Sequence, residues 1–281
     1  MLMIGSNQRG SSFFGRMAVL GMALLFTASI AWGQAGHVLN GVGPVDQGMA
    51  GAGMAIPQDV LSMLHWNPGA ITSVTAAVGV DYAMATDFGG NPILLPQPPN
   101  GLGFGGITSE FALLQASPTI AYRLSDKLSI GIAPTLNYAT LKVLPFPAAT
   151  PDDANGDGFP SYPAGPKDVT YGFGIQAGVQ VDDPSGFHFA ASFKSTQNFS
   201  DFEFESADET GADRLLTFDL DYPMVVSAGI GYTGIEGLAL ALDARYTDFE
   251  NTNGFKESGF NQFGAVQGFG WKSITVVAVR S

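Results

Sequence analysis

Hydrophobic and polar residues alternate one for one along much of the chain beyond residue 74. Over 128–141, Leu128, Ile130, Ile132, Leu136 and Tyr138 share one face, and Ser129, Gly131, Ala133, Thr135 and Asn137 share the other. Over 169–181, Val169, Tyr171, Phe173, Ile175 and Val179 oppose Thr170, Gly172, Gly174, Gln176, Gly178 and Gln180. Over 237–249, Leu238, Leu240, Leu242 and Tyr246 oppose Ala239, Ala241, Asp243 and Arg245. A two-residue period is that of a β-strand with unlike faces. It predicts further strands over 74–85, 113–124, 187–198, 217–232 and 271–280, eight in all.

A soluble β-sandwich alternates too, so the period alone does not set the class. The connections do. Tight turns at 125–127, 182–186 and 233–237 alternate with long connections at 86–112, 142–168, 199–216 and 250–270. Short turns at one end and long loops at the other are the layout of an outer-membrane β-barrel, with the short turns on the periplasmic side. Aromatics such as Tyr82, Tyr122, Tyr138, Tyr171, Phe187, Phe193, Tyr232 and Tyr246 fall toward strand ends, where an interfacial girdle places them. The predicted class is therefore all-β, a transmembrane antiparallel barrel over 73–281. Eight strands closing on themselves leave a narrow bore, and an open sheet leaves unpaired edges in lipid. The strand set, ending at Arg280-Ser281 without a terminal aromatic, reads as part of a larger barrel.

Ahead of the strands the pattern changes. Residues 36–71 carry glycines at 36, 41, 43, 48, 51 and 53 with small apolar residues between them, a composition that packs closely in a confined space and suits a plug, here 34–72. Residues 1–33 read as an export leader: Arg9 and Arg16, an apolar run from Met17 to Ile30, and Ala31-Trp32-Gly33 as a small-x-small cleavage site. No later stretch has the run of roughly eighteen apolar residues a spanning helix needs, so any membrane crossing is by strands. The absence of cysteine fits an exported barrel held by strand closure. A net charge of −13 argues against a nucleic-acid partner. The acids gather at 152–168 and 201–221, in loops, where they meet solvent or the divalent cations of a lipopolysaccharide surface.

Gly48, Gly51, Gly53, Ala55, Asp59 and Asn67-Pro68 together resemble the N-terminal hatch of the FadL-type long-chain fatty-acid transporters of bacterial outer membranes. The phrase Tyr122–Leu128 is similar as well, while Gly69 stands where that family usually has alanine. The resemblance implies a hatch inside a fourteen-stranded barrel, about six strands more than are read here, and hydrophobic substrates that leave sideways through a gap in the wall. A monomer carrying long-chain fatty acids or aromatic hydrocarbons through outer-membrane lipid, with no cofactor, is the function it implies.

The residues offer candidates for each step. Ile93, Leu94, Leu95, Leu102 and Phe104, in a loop more apolar than solvent tolerates, form a catching patch or pack on the hatch. Strand parity points His188, Lys194, Asp243 and Arg245 into the bore with Gln176 nearby; Lys194 and Arg245 suit a ligand carboxylate, and Asp243 also suits Arg245. Pro134 lies inside a strand, where it cannot donate to a ladder, and by strand order matches the kinked strand of the family's side portal; Pro118 competes for that role. Asp153, Asn155 and Asp157 have the spacing that begins a calcium loop, but Ala164 stands where the bidentate glutamate is expected, and an ordinary turn explains them too. Two other classes remain in view: an adhesive or structural barrel, and a lipid hydrolase using His188 with Ser192, for which no nucleophile motif is present.

Overall fold

The computed structural model describes residues 41–42, 51–56, 60–73, 80–84 and 108–280. Alternation becomes strand: β1 (Val80–Met84), β2 (Thr108–Ala116), β3 (Ile120–Arg123), β4 (Leu128–Leu144), β5 (Gly165–Asp182), β6 (Phe187–Lys194), β7 (Asn198–Phe199), β8 (Phe202–Ala207), β9 (Asp213–Phe218), β10 (Val225–Ile235), β11 (Leu238–Thr247) and β12 (Ile274–Arg280). The pairings are antiparallel, and the main sheet runs β1-β2-β4-β5-β6-β10-β11-β12 as a curled half-barrel wall. β3 continues β2 against β4, and β7 continues β6 against β5.

The wall is inside out relative to a soluble sheet. Its apolar face looks outward, with Ile120 75% exposed, Tyr122 66%, Tyr171 68% and Phe173 66%, while Thr135 and Gln176 on the other face are 0% and 1% exposed. Leaving one such large apolar side chain in water forgoes roughly 1.5–3 kcal/mol, and a full face of them is tolerable only against hydrocarbon.

At the short-turn end, local chemistry closes each turn. The Ser125 hydroxyl accepts from the Leu128 amide at 3.1 Å, and the Asp183 carboxylate accepts from the Ser185 amide at 2.9 Å, with Gly186 at φ +90° completing the turn. Lys127 joins neighbouring turns by an ion pair with Asp183 at 2.9 Å.

The long-loop end differs from its prediction. Residues 199–216 are not an open loop, nor does one strand run through 217–232. β8 and β9 form a separate hairpin whose Phe202, Phe204 and Leu216 pack with Phe146, Phe249 and Phe255 into an aromatic core over the wall. Its turn is fixed by the Asp208 carboxylate, which accepts from the amides of Thr210 at 2.8 Å and Ala212 at 2.9 Å. Arg214 ties β9 to the loop after β4 through Asp152 at 2.6 Å. The alternation of Phe202 and Phe204 with Glu203 and Glu205 is a strand signal hidden among acids. Pro223, just ahead of β10, separates that strand from β9.

The predicted strand over 113–124 is also divided, at Ser117-Pro118-Thr119. The register before and after the break is the same: Ala116 faces Leu136 and Ile120 faces Ile132 on β4. The three unpaired residues therefore face Ala133, Pro134 and Thr135, which puts Pro118 directly opposite Pro134.

Candidate functional site

The polar face of the curled wall lines the lumen side, and the hatch segment lies against it. Helix α1 (Val60–Trp66) is followed by Asn67 and a 3-10 turn over Pro68–Ser73. The Asn67 side-chain amide donates to the Val179 carbonyl at 3.2 Å and to Gln180 Oε1 at 3.1 Å, while its oxygen accepts from the Gly69 amide at 3.1 Å. Gln180 Nε2 donates to the Ala55 carbonyl at 2.9 Å and Gln176 Nε2 to the His65 carbonyl at 2.6 Å. On the far side, Asp243 accepts from the Met54 amide at 2.8 Å, and the Arg245 guanidinium lies over the Trp66 ring, 3.4 Å from its centroid.

Glycines in the wall make room for this segment. A Cβ at Gly131 would stand 2.3 Å from the Pro68 carbonyl, and one at Gly178 would stand 2.1 Å from Asn67 Oδ1. Gly69, the departure from the family pattern, sits where backbone meets backbone: its Cβ would come within 2.8 Å of the Gly178 oxygen. Gly51 takes φ +80° and Gly53 is buried. Gly48 and Asp59, named with them in the sequence, lie outside the described residues, as do Leu94, Leu95, Leu102 and Phe104.

The structure brings Lys194 and Arg245 near the same hatch residue, His65. Burial, with the charges of Lys194 and Arg245 adding to it, holds the His65 imidazole well below its usual pKa, so it stays neutral. Lys194 is 3% exposed and donates to Gln115 Oε1 at 3.4 Å; among the described residues no carboxylate pairs with it. Gln115 in turn donates to the Ser117 hydroxyl at 2.7 Å, which leads from the buried ammonium to the break between β2 and β3. His188 is elsewhere. It sits at the short-turn rim between Asp182 at 2.7 Å and Thr233 at 2.8 Å, about 20 Å along the strand from Lys194. Ser192 is about 13 Å from His188 by the same spacing, out of reach for a nucleophile and base.

The break itself has a backbone cause. Ile175 donates to the Ser195 hydroxyl at 3.0 Å and accepts from the Ser195 amide at 2.9 Å, so its polar groups point away from β4. Pro134, opposite Ile175, is then in a non-hydrogen-bonded pair with β5 and turns its own backbone toward β3. There it meets Pro118. Neither proline has an amide hydrogen, so the two positions that should exchange hydrogen bonds have no donor at all.

The acidic loop is closed on itself. Asp153 accepts from the Gly158 amide at 3.1 Å, Asn155 from Asp157 at 2.9 Å and Asp157 from Phe159 at 2.8 Å. Among the described residues no group of three or more His, Cys, Asp or Glu side chains is placed to hold a metal.

Trp66, Gln180 and Gln197 were not singled out by the sequence; only their inward placement shows their part. Neither a family model nor a curated protein matches the sequence. Solved structures do. The toluene transporter TbuX of Ralstonia pickettii superposes with a TM-score of 0.62 at 15% identity, covering 86% of this chain and 82% of that one. The P. putida toluene transporter TodX gives 0.61 at 14% identity over 86% and 79%, and the monoaromatic hydrocarbon channel CymD 0.57 at 16% over 86% and 79%. With a hatch against a polar lumen and an apolar outer wall, the chain has the fold of the FadL-type hydrocarbon transporters.

Proposed function

We propose that this chain is an exported outer-membrane channel through which long-chain fatty acids or aromatic hydrocarbons pass without an energy source of its own, as a monomer. The observation that carries the proposal is the seam at Pro118 and Pro134. It is a donor-free gap between β4 and the β2–β3 strand, level with the lumen on one side and with lipid-facing side chains on the other. A hydrophobic solute taken from the long-loop side would leave there into the bilayer, with the hatch closing the direct route to the periplasm. The outer wall meets membrane lipid, and the loop acids face the lipopolysaccharide zone. Cells expressing the chain, and lacking a fatty-acid transporter of their own, should take up oleate and toluene faster than vector controls; equal rates would remove the proposal.

Lys194 and Arg245 are the proposed contacts for a ligand carboxylate, and Lys194 is the better placed because Arg245 already stacks on Trp66. A charge-assisted hydrogen bond to a buried cation is worth about 1.5–3 kcal/mol. Replacing both residues by alanine should therefore weaken half-saturation for oleate about tenfold or more while leaving toluene unchanged. Unaltered oleate saturation would take both residues out of the mechanism.

A further inference from the structure

We infer that Gln197 is an inner gate, a polar cross-link made by the wall itself that blocks the way from the long-loop end to the seam. This rests on the transport reading above and adds a barrier separate from the hatch.

After Lys194 the strand does not run straight on. Between the β5–β6 pairing, which ends at Gln176 and Lys194, and the β5–β7 pairing, which resumes at Phe173 and Asn198, β5 contributes Gly174 and Ile175 while the other strand contributes Ser195, Thr196 and Gln197. The extra residue makes a bulge, and bulges re-aim side chains. Here it turns Gln197 into the lumen, where it is fully buried. Its Oε1 accepts from the Thr135 hydroxyl and from Asn137 Nδ2, the latter at 2.9 Å, and its Nε2 donates to the Ser195 carbonyl at 2.6 Å. Its backbone pairs both ways with Tyr222, at 2.9 and 3.1 Å. Gln197 thus spans from β7 across β5 to β4 and is held from β10's side as well.

The crossing needs Gly174. A Cβ there would stand 2.4 Å from Gln197 Nε2, so only glycine lets the side chain lie over β5. The height of the crossing is equally informative. Thr135 follows Pro134, Pro134 faces Ile175, and Ile175 is bonded to Ser195, so the seam and the cross-link occupy one row of the wall. Above that row, Phe111, Ala139, Phe199, Leu220, Tyr222 and Phe255 line a void of only about 10 Å³. Among the described residues, this row stands between the loop-end void and the seam.

Gln197 reads as a gate more than a strut because the network is not complete. Asn137 Oδ1 is buried with no hydrogen-bond partner among the described residues, and a partly satisfied buried network is weaker than a closed one. Few bonds must break for the row to open.

The test is initial oleate uptake by transporter-deficient cells, per folded protein judged from heat-modifiable migration. Gln197→Ala removes the cross-link, and Gly174→Ala displaces the same side chain from the opposite strand. Each should raise the rate about tenfold, as expected for loss of a few buried hydrogen bonds across a barrier. The double variant should add nothing further. Folded single variants with rates at or below that of the unsubstituted chain would overturn the gate. No uptake above vector by the unsubstituted chain would instead overturn the transport reading itself.

Discussion

Replacing Pro118 and Pro134 together by valine lowers uptake of a hydrophobic solute at least tenfold and raises the resistance of the folded wall to denaturant. Both prolines sit on the outward face, in one register row, with their missing amide hydrogens on the same seam. Valine suits an exposed strand position against lipid and supplies a donor at each site, so two backbone hydrogen bonds become available where none exists. Each is worth about 1 kcal/mol net in water and no less in a membrane, where an unsatisfied carbonyl is costly. The gain outweighs the conformational restriction that proline gives the unfolded chain, about 0.4–1 kcal/mol per site. Either single replacement leaves one proline in the row and restores only one donor, so each should have a smaller effect than the pair. Uptake by the double variant at the unsubstituted rate, with the variant folded, would show that solute does not leave by this seam.

Placing a side chain at Gly178 evicts the hatch. In Gly178→Val the first added carbon alone would fall 2.1 Å from Asn67 Oδ1 and 2.9 Å from Pro68 Cδ, and neither group has room to retreat because Asn67 is also bonded to Val179 and Gln180. Overpacking of this kind costs about 1–3 kcal/mol, and loss of the two Asn67 bonds adds about 1–3 kcal/mol more. A hatch held mainly by these contacts would shift toward its released form by roughly a hundredfold or more. The measurement is single-channel conductance in planar bilayers with Gly178→Val placed in a Gln197→Ala background, so that the Gln197 row does not hold the bore shut; it should rise from closed in Gln197→Ala alone to continuously open. Val179→Leu, one residue on but on the outward side, is the control and should leave conductance unchanged. A closed channel in the folded Gly178→Val, Gln197→Ala variant would mean that the hatch does not depend on this contact.

How much of this was legible in the sequence follows from the range of the interactions. Strands such as β4 and β5 are visible because alternation is local and the wall's two faces differ so strongly in polarity. The hatch residues Asn67 and Pro68 could be named from glycine spacing and resemblance. The seam could not. Pro118 and Pro134 look like rivals when each strand is read alone, and only the register across the Ser125–Lys127 turn shows that they are opposite partners in one defect. Arg245 illustrates the same limit. Parity put it in the lumen beside Asp243, but the hatch brings Trp66 under its guanidinium and the Met54 amide to the Asp243 carboxylate. The β8–β9 hairpin escaped because its acids mask the alternation of Phe202 and Phe204, whose aromatic partners come from loops far along the chain.

The central claim is that the apolar face of the wall meets lipid while the polar face surrounds the hatch. Because the chain has no cysteine, single spin labels can be placed without background. Labels at Ile132→Cys, Tyr171→Cys and Phe193→Cys report the outward face, and Ser192→Cys and Ala239→Cys the inward one. In reconstituted bilayers, power-saturation measurements should show the outward set relaxed by oxygen and shielded from a water-soluble nickel chelate, with the inward set showing the reverse preference. Equal chelate access for both sets would place these apolar faces in water and contradict the account.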